Sequence, residues 1–294
     1  MKPCPPPDFA PRRPALALPA LACDCHAHVI GPHASYPLSD ERIYTPPECT
    51  EQAYLAMLAK IGADRAVLVQ PSIYGTDNSL LLDTLARHPD SVRGVAVIGL
   101  DADESTLRSM HATGIRGVRV NLVDSRDQAS ALPLDQLHAL ASRIAPMGWH
   151  IELLVHADEH AKALPALGDL PVPVVFGHFG YLSMGKDAQD PGLQALARLM
   201  RQGRAWVKMT GPYRLTGKPL PYSDCDAYAH VLREAAPERL LWGTDWPHVM
   251  LSGIMPNDAD LVELLARWLP TPDLREQVLA RNPATLYDFP PVSG

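Results

Sequence analysis

The sequence predicts a (β/α)8 barrel, and three observations carry that prediction. Eight short apolar runs recur along the chain, at residues 21–28, 65–70, 92–98, 115–121, 150–156, 174–178, 205–209 and 240–244. Several are near-continuous Val, Ile and Leu, the pattern of parallel strands covered on both faces. A stretch with helical start and stop signals follows each one. The runner-up is a doubly wound sheet, which wants a Gly-x-Gly-x-x-Gly turn after its first strand, and none is present.

The helices are placed by their end signals. Residues 50–61 open on Thr50, and 78–88 are Leu-rich and stop before Pro89. Residues 103–113 stop at Gly114, 134–147 at Gly148 and 159–167 at Gly168. Segments 191–201, 223–236 and 258–268 follow the same grammar. Residues 1–20 are Pro-rich and predict an extended arm, leaving 21–294 for a single barrel domain. The long segment 29–47 would lie over the mouth of the first strand as a lid, and 213–223 is a second mouth loop.

The 294 residues are 47% hydrophobic and 20% charged, which suits a folded chain with a sizeable core. A net charge of −7 gives no basic surplus for binding a phosphate backbone, so nucleic acid is not expected as a partner. No apolar run is long enough to span a membrane. The five cysteines are odd in number and include no Cys-x-x-Cys pair, which points to a reducing cytoplasm, with Cys23 and Cys25 as small buried side chains. The Ala/Leu stretch before Cys23 has some likeness to a lipoprotein signal end, but Pro14 and Pro19 interrupt it.

Barrel enzymes carry their chemistry at the C-terminal ends of the strands. The first run ends His26-Ala27-His28, whose alternation sends both imidazoles to one side. The fifth ends at His156, the sixth at His178 and the eighth at Asp245. Singly, each has an ordinary structural explanation, such as a satisfied core histidine or a capping aspartate. Together they place four imidazoles and one carboxylate on a single rim. Imidazole and carboxylate suit a borderline divalent cation, and the same groups serve a metal-free hydrolysis with an aspartate accepting the proton of water.

The segments Asp24-Cys25-His26-Ala27-His28, Gly177-His178-Phe179-Gly180 and Leu241-Trp242-Gly243-Thr244-Asp245-Trp246-Pro247-His248 carry a family resemblance. The chain resembles the amidohydrolase superfamily, within it the branch of the 2-pyrone-4,6-dicarboxylate lactonases, over about residues 21–289. The resemblance implies a distorted barrel, usually oligomeric, with Asp245 as the base and His26, His28 and His178 around the substrate carbonyl. Those lactonases look metal-independent and end their fifth strand in Glu or Gln. His156 stands there in this chain, as in metal-dependent members. The expectation is one divalent ion, zinc or manganese, on His26, His28, His156 and Asp245, with His178 left catalytic; a metal-free site is the alternative.

The expected activity is hydrolysis of a carboxylated lactone. A metal-dependent decarboxylase of an unsaturated acid is the alternative, and a non-catalytic acid-binding barrel is a third possibility. Arg119, at the end of the fourth run, is the expected reader of the substrate's anionic group, since a guanidinium matches a carboxylate in a two-point fork. Arg214 matches a carboxylate-binding arginine of the resembled family, whose third arginine falls on Ser125, with Arg126 adjacent. Asn121, Ser72, Tyr74 and Tyr213 are expected to add polar contacts. His248 is expected either to tune Asp245 or to be structural.

Overall fold

The structure, a computed structural model, describes residues 2–99, 102–124, 131–251 and 253–290. Eight parallel strands form one sheet in sequential order: β1 (Cys23–Ala27), β2 (Arg65–Val69), β3 (Val92–Ala96), β4 (Ile115–Asn121), β5 (His150–Leu154), β6 (Val174–Phe176), β7 (Ala205–Met209) and β8 (Leu240–Trp242). The sheet closes on itself. Just past β8, Asp245 N–H donates to the His26 carbonyl and His28 N–H to the Trp246 carbonyl, each at 2.8 Å. The result is the barrel the apolar runs predict.

Helices cover the outside: α1 (Glu51–Ile61), α2 (Ser79–Arg87), α3 (Glu104–Thr113), α4 (Leu134–Ile144), α5 (Pro191–Arg201), α6 (Asp226–Ala235), α7 (Asp258–Glu263) and α8 (Leu265–Trp268). Thr50 and Asp103 cap α1 and α3 through their side chains, satisfying amides that have no partner within the helix. One predicted helix does not form. Residues 159–167 give turns and then a 3-10 helix, Leu164–Asp169, because Pro165 lacks the N–H that a helix interior needs. The segment 258–268 is likewise two short helices, α7 and α8, rather than one.

The largest apolar cluster lies between the sheet and the helices. A second cluster gathers Cys23, Cys25, Val67, Val95, Val175, Trp206 and Leu241 from six strands and is closed by Tyr287 and Phe289. This is the lower part of the barrel lumen. All five cysteines are unpaired, and Cys23 and Cys25 are buried as expected.

Strict alternation along β1 would send Cys25 and His26 to opposite faces. A β-bulge reconciles them: Asp24 pairs with Ala66 but Ala27 with Leu68, so three steps on β1 face two on β2. Cysteines 23 and 25 thereby fill the lumen, and the two histidines reach its upper end.

The N-terminal arm runs across the mouth. Lys2–Pro3 pairs with Tyr44–Thr45 in the 29–47 segment, and Met250 N–H donates to Cys4 Sγ at 3.3 Å. Asn257 Nδ2 donates to Asp8 at 2.7 Å. Among the described residues no helix is long and apolar enough to cross a membrane.

Candidate active site

Asp24 fixes the geometry of the rim. Its carboxylate accepts from Thr244 N–H at 2.9 Å, Thr244 Oγ1 at 2.6 Å and Tyr54 Oη of α1 at 3.0 Å. Those bonds staple the end of β8 to β1, so Asp245 lies beside His26. A Cβ at Gly243 would stand 2.6 Å from His26 N, so only glycine permits this approach. Asp245 and His178 both hold positive φ, 68° and 49°, which turns their side chains back over the lumen.

Three sequence-predicted residues meet closely. One ligand atom each from His26, His28 and Asp245 lies within 4.8 Å of the other two. His26 Nε2 is 3.7 Å and His28 Nε2 3.9 Å from Asp245 Oδ1. The His178 ring lies edge-on to His26 at 4.9 Å between centroids.

Hydrogen bonding fixes two tautomers. His28 Nδ1 donates to the Val69 carbonyl at 2.7 Å and His178 Nδ1 to the Thr210 carbonyl at 3.3 Å. Burial, with help from His26 and Arg119, pushes His28 down to about 3, and burial likewise holds His178 well below the usual imidazole range. Both rings are therefore neutral, with a bare Nε2 at the pocket. In this state each Nε2 can accept a proton or ligate.

Asp245 is buried. Burial pushes its carboxyl up, but Arg214, with the three imidazoles, outweighs burial and holds it well below the usual carboxylate range. Arg214 Nε and Nη2 reach Oδ2 at 2.8 and 2.7 Å, and Tyr213 Oη reaches it at 2.7 Å. That leaves Oδ1 facing the imidazoles. Gly211 makes room for the arrangement: its φ is +56°, and a Cβ there would lie 2.8 Å from His178 Nδ1 and 2.9 Å from Asp245 Oδ2.

A divalent cation is compatible with these residues. His26 Nε2 and Asp245 Oδ1 are buried without a hydrogen-bond partner, and with His28 Nε2 they make a two-nitrogen, one-oxygen donor set. Such a set suits zinc better than manganese, which favours oxygen. His156 is not in the group. Its Nδ1 donates to the Tyr181 carbonyl at 2.7 Å and its ring packs edge-on against Tyr181.

The remaining candidates divide. Arg119 lines the pocket beside His28, His178 and Asp245; its Nη1 donates to the Gln70 carbonyl at 3.2 Å. No carboxylate lies within ion-pair distance of it among the described residues. Arg214 also lines the pocket, with its Nε and Nη2 on Asp245 and Nη2 also donating to the Val249 carbonyl at 3.0 Å. Tyr213 is committed to Asp245 and to His248 Nδ1 at 2.8 Å. His248 Nε2 in turn lies 3.3 Å from Asp258, which makes it a support for Tyr213. Asn121 does not line the pocket; its Oδ1 accepts from Val123 and Asp124 N–H and holds the turn after β4. Tyr74 Oη accepts from Gly31 N–H, and Ser72 lines a neighbouring cleft that shares Asp124. Ser125 and Arg126 lie outside the described residues.

Sequence reasoning missed an ion pair beneath the imidazoles. Lys208 of β7 and Glu152 of β5 meet at 2.5 Å, both buried, and each approaches His26 Nδ1, at 3.4 and 3.3 Å. Their signal is two opposite charges, each inside a run that reads as a buried strand. Tyr44 and Tyr181, from the mouth loops, also line the pocket and were not anticipated.

Residues 23–289 match the amidohydrolase family model. The chain belongs to the amidohydrolase family. It is 34% identical to a 2-pyrone-4,6-dicarboxylate hydrolase of Comamonas testosteroni, covering 94% of this chain and 93% of that one. It is 32% identical to a 4-sulfomuconolactone hydrolase of Rhizobium radiobacter, covering 93% and 92%. Among solved structures, it is similar to a Pseudomonas putida protein described as a 2-pyrone-4,6-dicarboxylic acid hydrolase, with a TM-score of 0.80, 32% identity and coverage of 92% and 99%. In this amidohydrolase the rim of the barrel holds a His-x-His pair, a third imidazole and an aspartate.

Proposed function

We propose that this amidohydrolase opens a small carboxylated lactone by adding water across its ester carbonyl. The observation that carries the reading is one juxtaposition. A buried carboxylate oxygen, Asp245 Oδ1, has no hydrogen-bond partner and faces the bare Nε2 of His28, while Arg119 lies in the same pocket with no carboxylate at ion-pair distance among the described residues. The relatives named above act on lactones that carry anionic groups, which supports the same substrate class. The cavity, about 110 Å3, is below the roughly 300–1,000 Å3 of drug-sized clefts, which favours a compact ring.

In this reading the substrate carboxylate pairs with Arg119, which sets the lactone carbonyl over the imidazoles. A water hydrogen-bonds to Asp245 Oδ1 and to a bare imidazole nitrogen. Its oxygen bonds to the carbonyl carbon as its proton passes to Asp245, and the carbonyl electrons move onto oxygen. The tetrahedral species then re-forms its carbonyl and breaks the ring C–O bond. The leaving oxygen takes the proton back from Asp245, directly or through His178. One water is consumed, and the product is an open-chain acid. Arg214 and Tyr213 hold Oδ2 throughout and so aim Oδ1. A divalent cation, held by His26, His28 and Asp245, would supply positive charge at the carbonyl oxygen when bound.

The test is Asp245→Asn. The variant is expected to lose about 10^3-fold in kcat while still binding the carboxylated ligand through Arg119. A variant that turns over within a few-fold of the parent would refute the assignment.

A further inference from the structure

The ion pair under His26 has no part in the steps above, yet it touches the imidazole whose tautomer is left open. His28 and His178 have Nδ1 tied to a backbone carbonyl, but His26 Nδ1 faces two opposed groups. Lys208 Nζ, 3.4 Å away, has only N–H donors and requires a lone pair on Nδ1. Glu152 Oε1, 3.3 Å away, has only lone pairs and requires a proton there. The two demands cannot both be met by a neutral ring.

The 2.5 Å contact between Glu152 Oε2 and Lys208 engages both groups alike and does not choose between them, so the decision falls to the opposite face of the ring. On the other side of the ring, His26 Nε2 faces Asp245 Oδ1 at 3.7 Å, and both atoms are buried without a partner. A bare Nε2 would set one lone pair against another in a pocket where His28 and His178 already present bare nitrogens. A proton on Nε2 relieves that contact and gives the imidazole cluster one N–H donor on the pocket side, where His28 and His178 present bare nitrogens.

We propose that Lys208 is a positioning residue that holds His26 with its proton on Nε2, making His26 the donor to the reacting oxygen and opposing divalent-cation binding at His26, His28 and Asp245. The proposal rests on the reading of this pocket as the catalytic site. Cation binding requires His26 to release Nε2, move its proton to Nδ1 and turn that donor to Glu152, the carboxylate–histidine arrangement that supports ligating imidazoles. Lys208 competes for the same ring atom and places a positive charge beside it. Glu152 and Lys208 thus form a two-way setting for one ring, and in this chain Lys208 holds the donor setting.

Zinc affinity of the chelator-treated full-length protein, measured by competition with a chromophoric chelator, tests this. Lys208→Met is expected to bind zinc about tenfold more tightly or better, and Lys208→Arg, which keeps charge and donors, to behave as the parent. A folded Lys208→Met variant whose zinc affinity is unchanged or weaker overturns the proposal. Should Lys208→Met fail to fold, nitrogen–proton correlation spectra of the parent protein labelled at histidine decide instead, with His26 assigned from a His26→Gln spectrum. The Nε2–H pattern is expected, and an Nδ1–H His26 overturns the proposal. Both readouts are taken without substrate, so an absence of lactone turnover would count against the functional reading alone.

Discussion

The two ends of the barrel lumen are built from the same strands and behave in opposite ways. At the lower end, Cys23, Cys25, Val67, Val95, Val175 and Leu241 pack under Tyr287 and Phe289, with Trp206 from β7. At the upper end the same strands supply His26 from β1 and Lys208 from β7, joined by Glu152, His178 and Asp245. Burial at the lower end stabilises, at roughly 25 cal/mol per Å2 of apolar surface. Burial at the upper end costs several kcal/mol per ion unless partners offset it. The upper end therefore pairs most of its charges: Glu152 with Lys208, Asp245 Oδ2 with Arg214 and Tyr213. Within the His–Asp cluster it leaves His26 Nε2 and Asp245 Oδ1 unpaired, the two atoms that face the reacting position. Stability and reactivity are thus separated by one to four residues along the chain, from Cys25 to His26, Trp206 to Lys208 and Leu241 to Asp245.

That separation can be broken from either end. The loss in Asp245→Asn is the largest effect expected. Gly211→Ala comes next: its methyl would sit 2.8 Å from His178 Nδ1 and 2.9 Å from Asp245 Oδ2, and a displacement of this kind is expected to lower kcat about 10^2-fold. Steady-state kinetics on the folded variant reads it, and near-parental kcat would show that the His178–Asp245 spacing is not critical. Arg119→Met is expected to raise KM for a carboxylated lactone about 30-fold with little change in kcat, because it removes one charge-assisted contact from ground and transition states alike. An unchanged KM would assign the substrate's anion elsewhere.

The lower end gives the smallest effect, and it appears in stability rather than turnover. Burial pushes His150 down to about 3, and its ring lies edge-on to Tyr287. Below about pH 6.5 the unfolded chain takes up a proton that folded His150 refuses, so stability falls as pH drops from there toward 3. His150→Leu removes that contribution. Denaturant unfolding at pH 7 and pH 5 should show a difference smaller by about 2 kcal/mol in the variant. An identical pH dependence in both proteins would mean that His150 is solvated and protonated in the fold.

The barrel was legible because its strands are buried on both faces and read as unbroken apolar runs, and because Thr50, Asp103, Gly114 and Gly148 punctuate the helices. The rim residues were legible because a strand's end in sequence is the pocket's edge in space. Four things were not. Pro165 inside the 159–167 segment outweighed its helical periodicity. The bulge in β1 depends on pairing with β2, which no local pattern encodes. Arg214 reads as an anion-binding arginine, yet the partner it finds is Asp245, a contact made only when β7 and β8 come together. Glu152 and Lys208 were visible as charges within buried runs, but their pairing across the lumen needs the closed barrel.

If water adds to an ester carbonyl in this pocket, its oxygen ends in the product acid. Mass spectrometry of the product formed from a carboxylated lactone in 18O-labelled water reads this. Ring opening with one 18O in the newly formed carboxylate, and no release of carbon dioxide, is the expected result. A rearranged product without label, or carbon dioxide released from the acid, would rule out hydrolysis at Asp245.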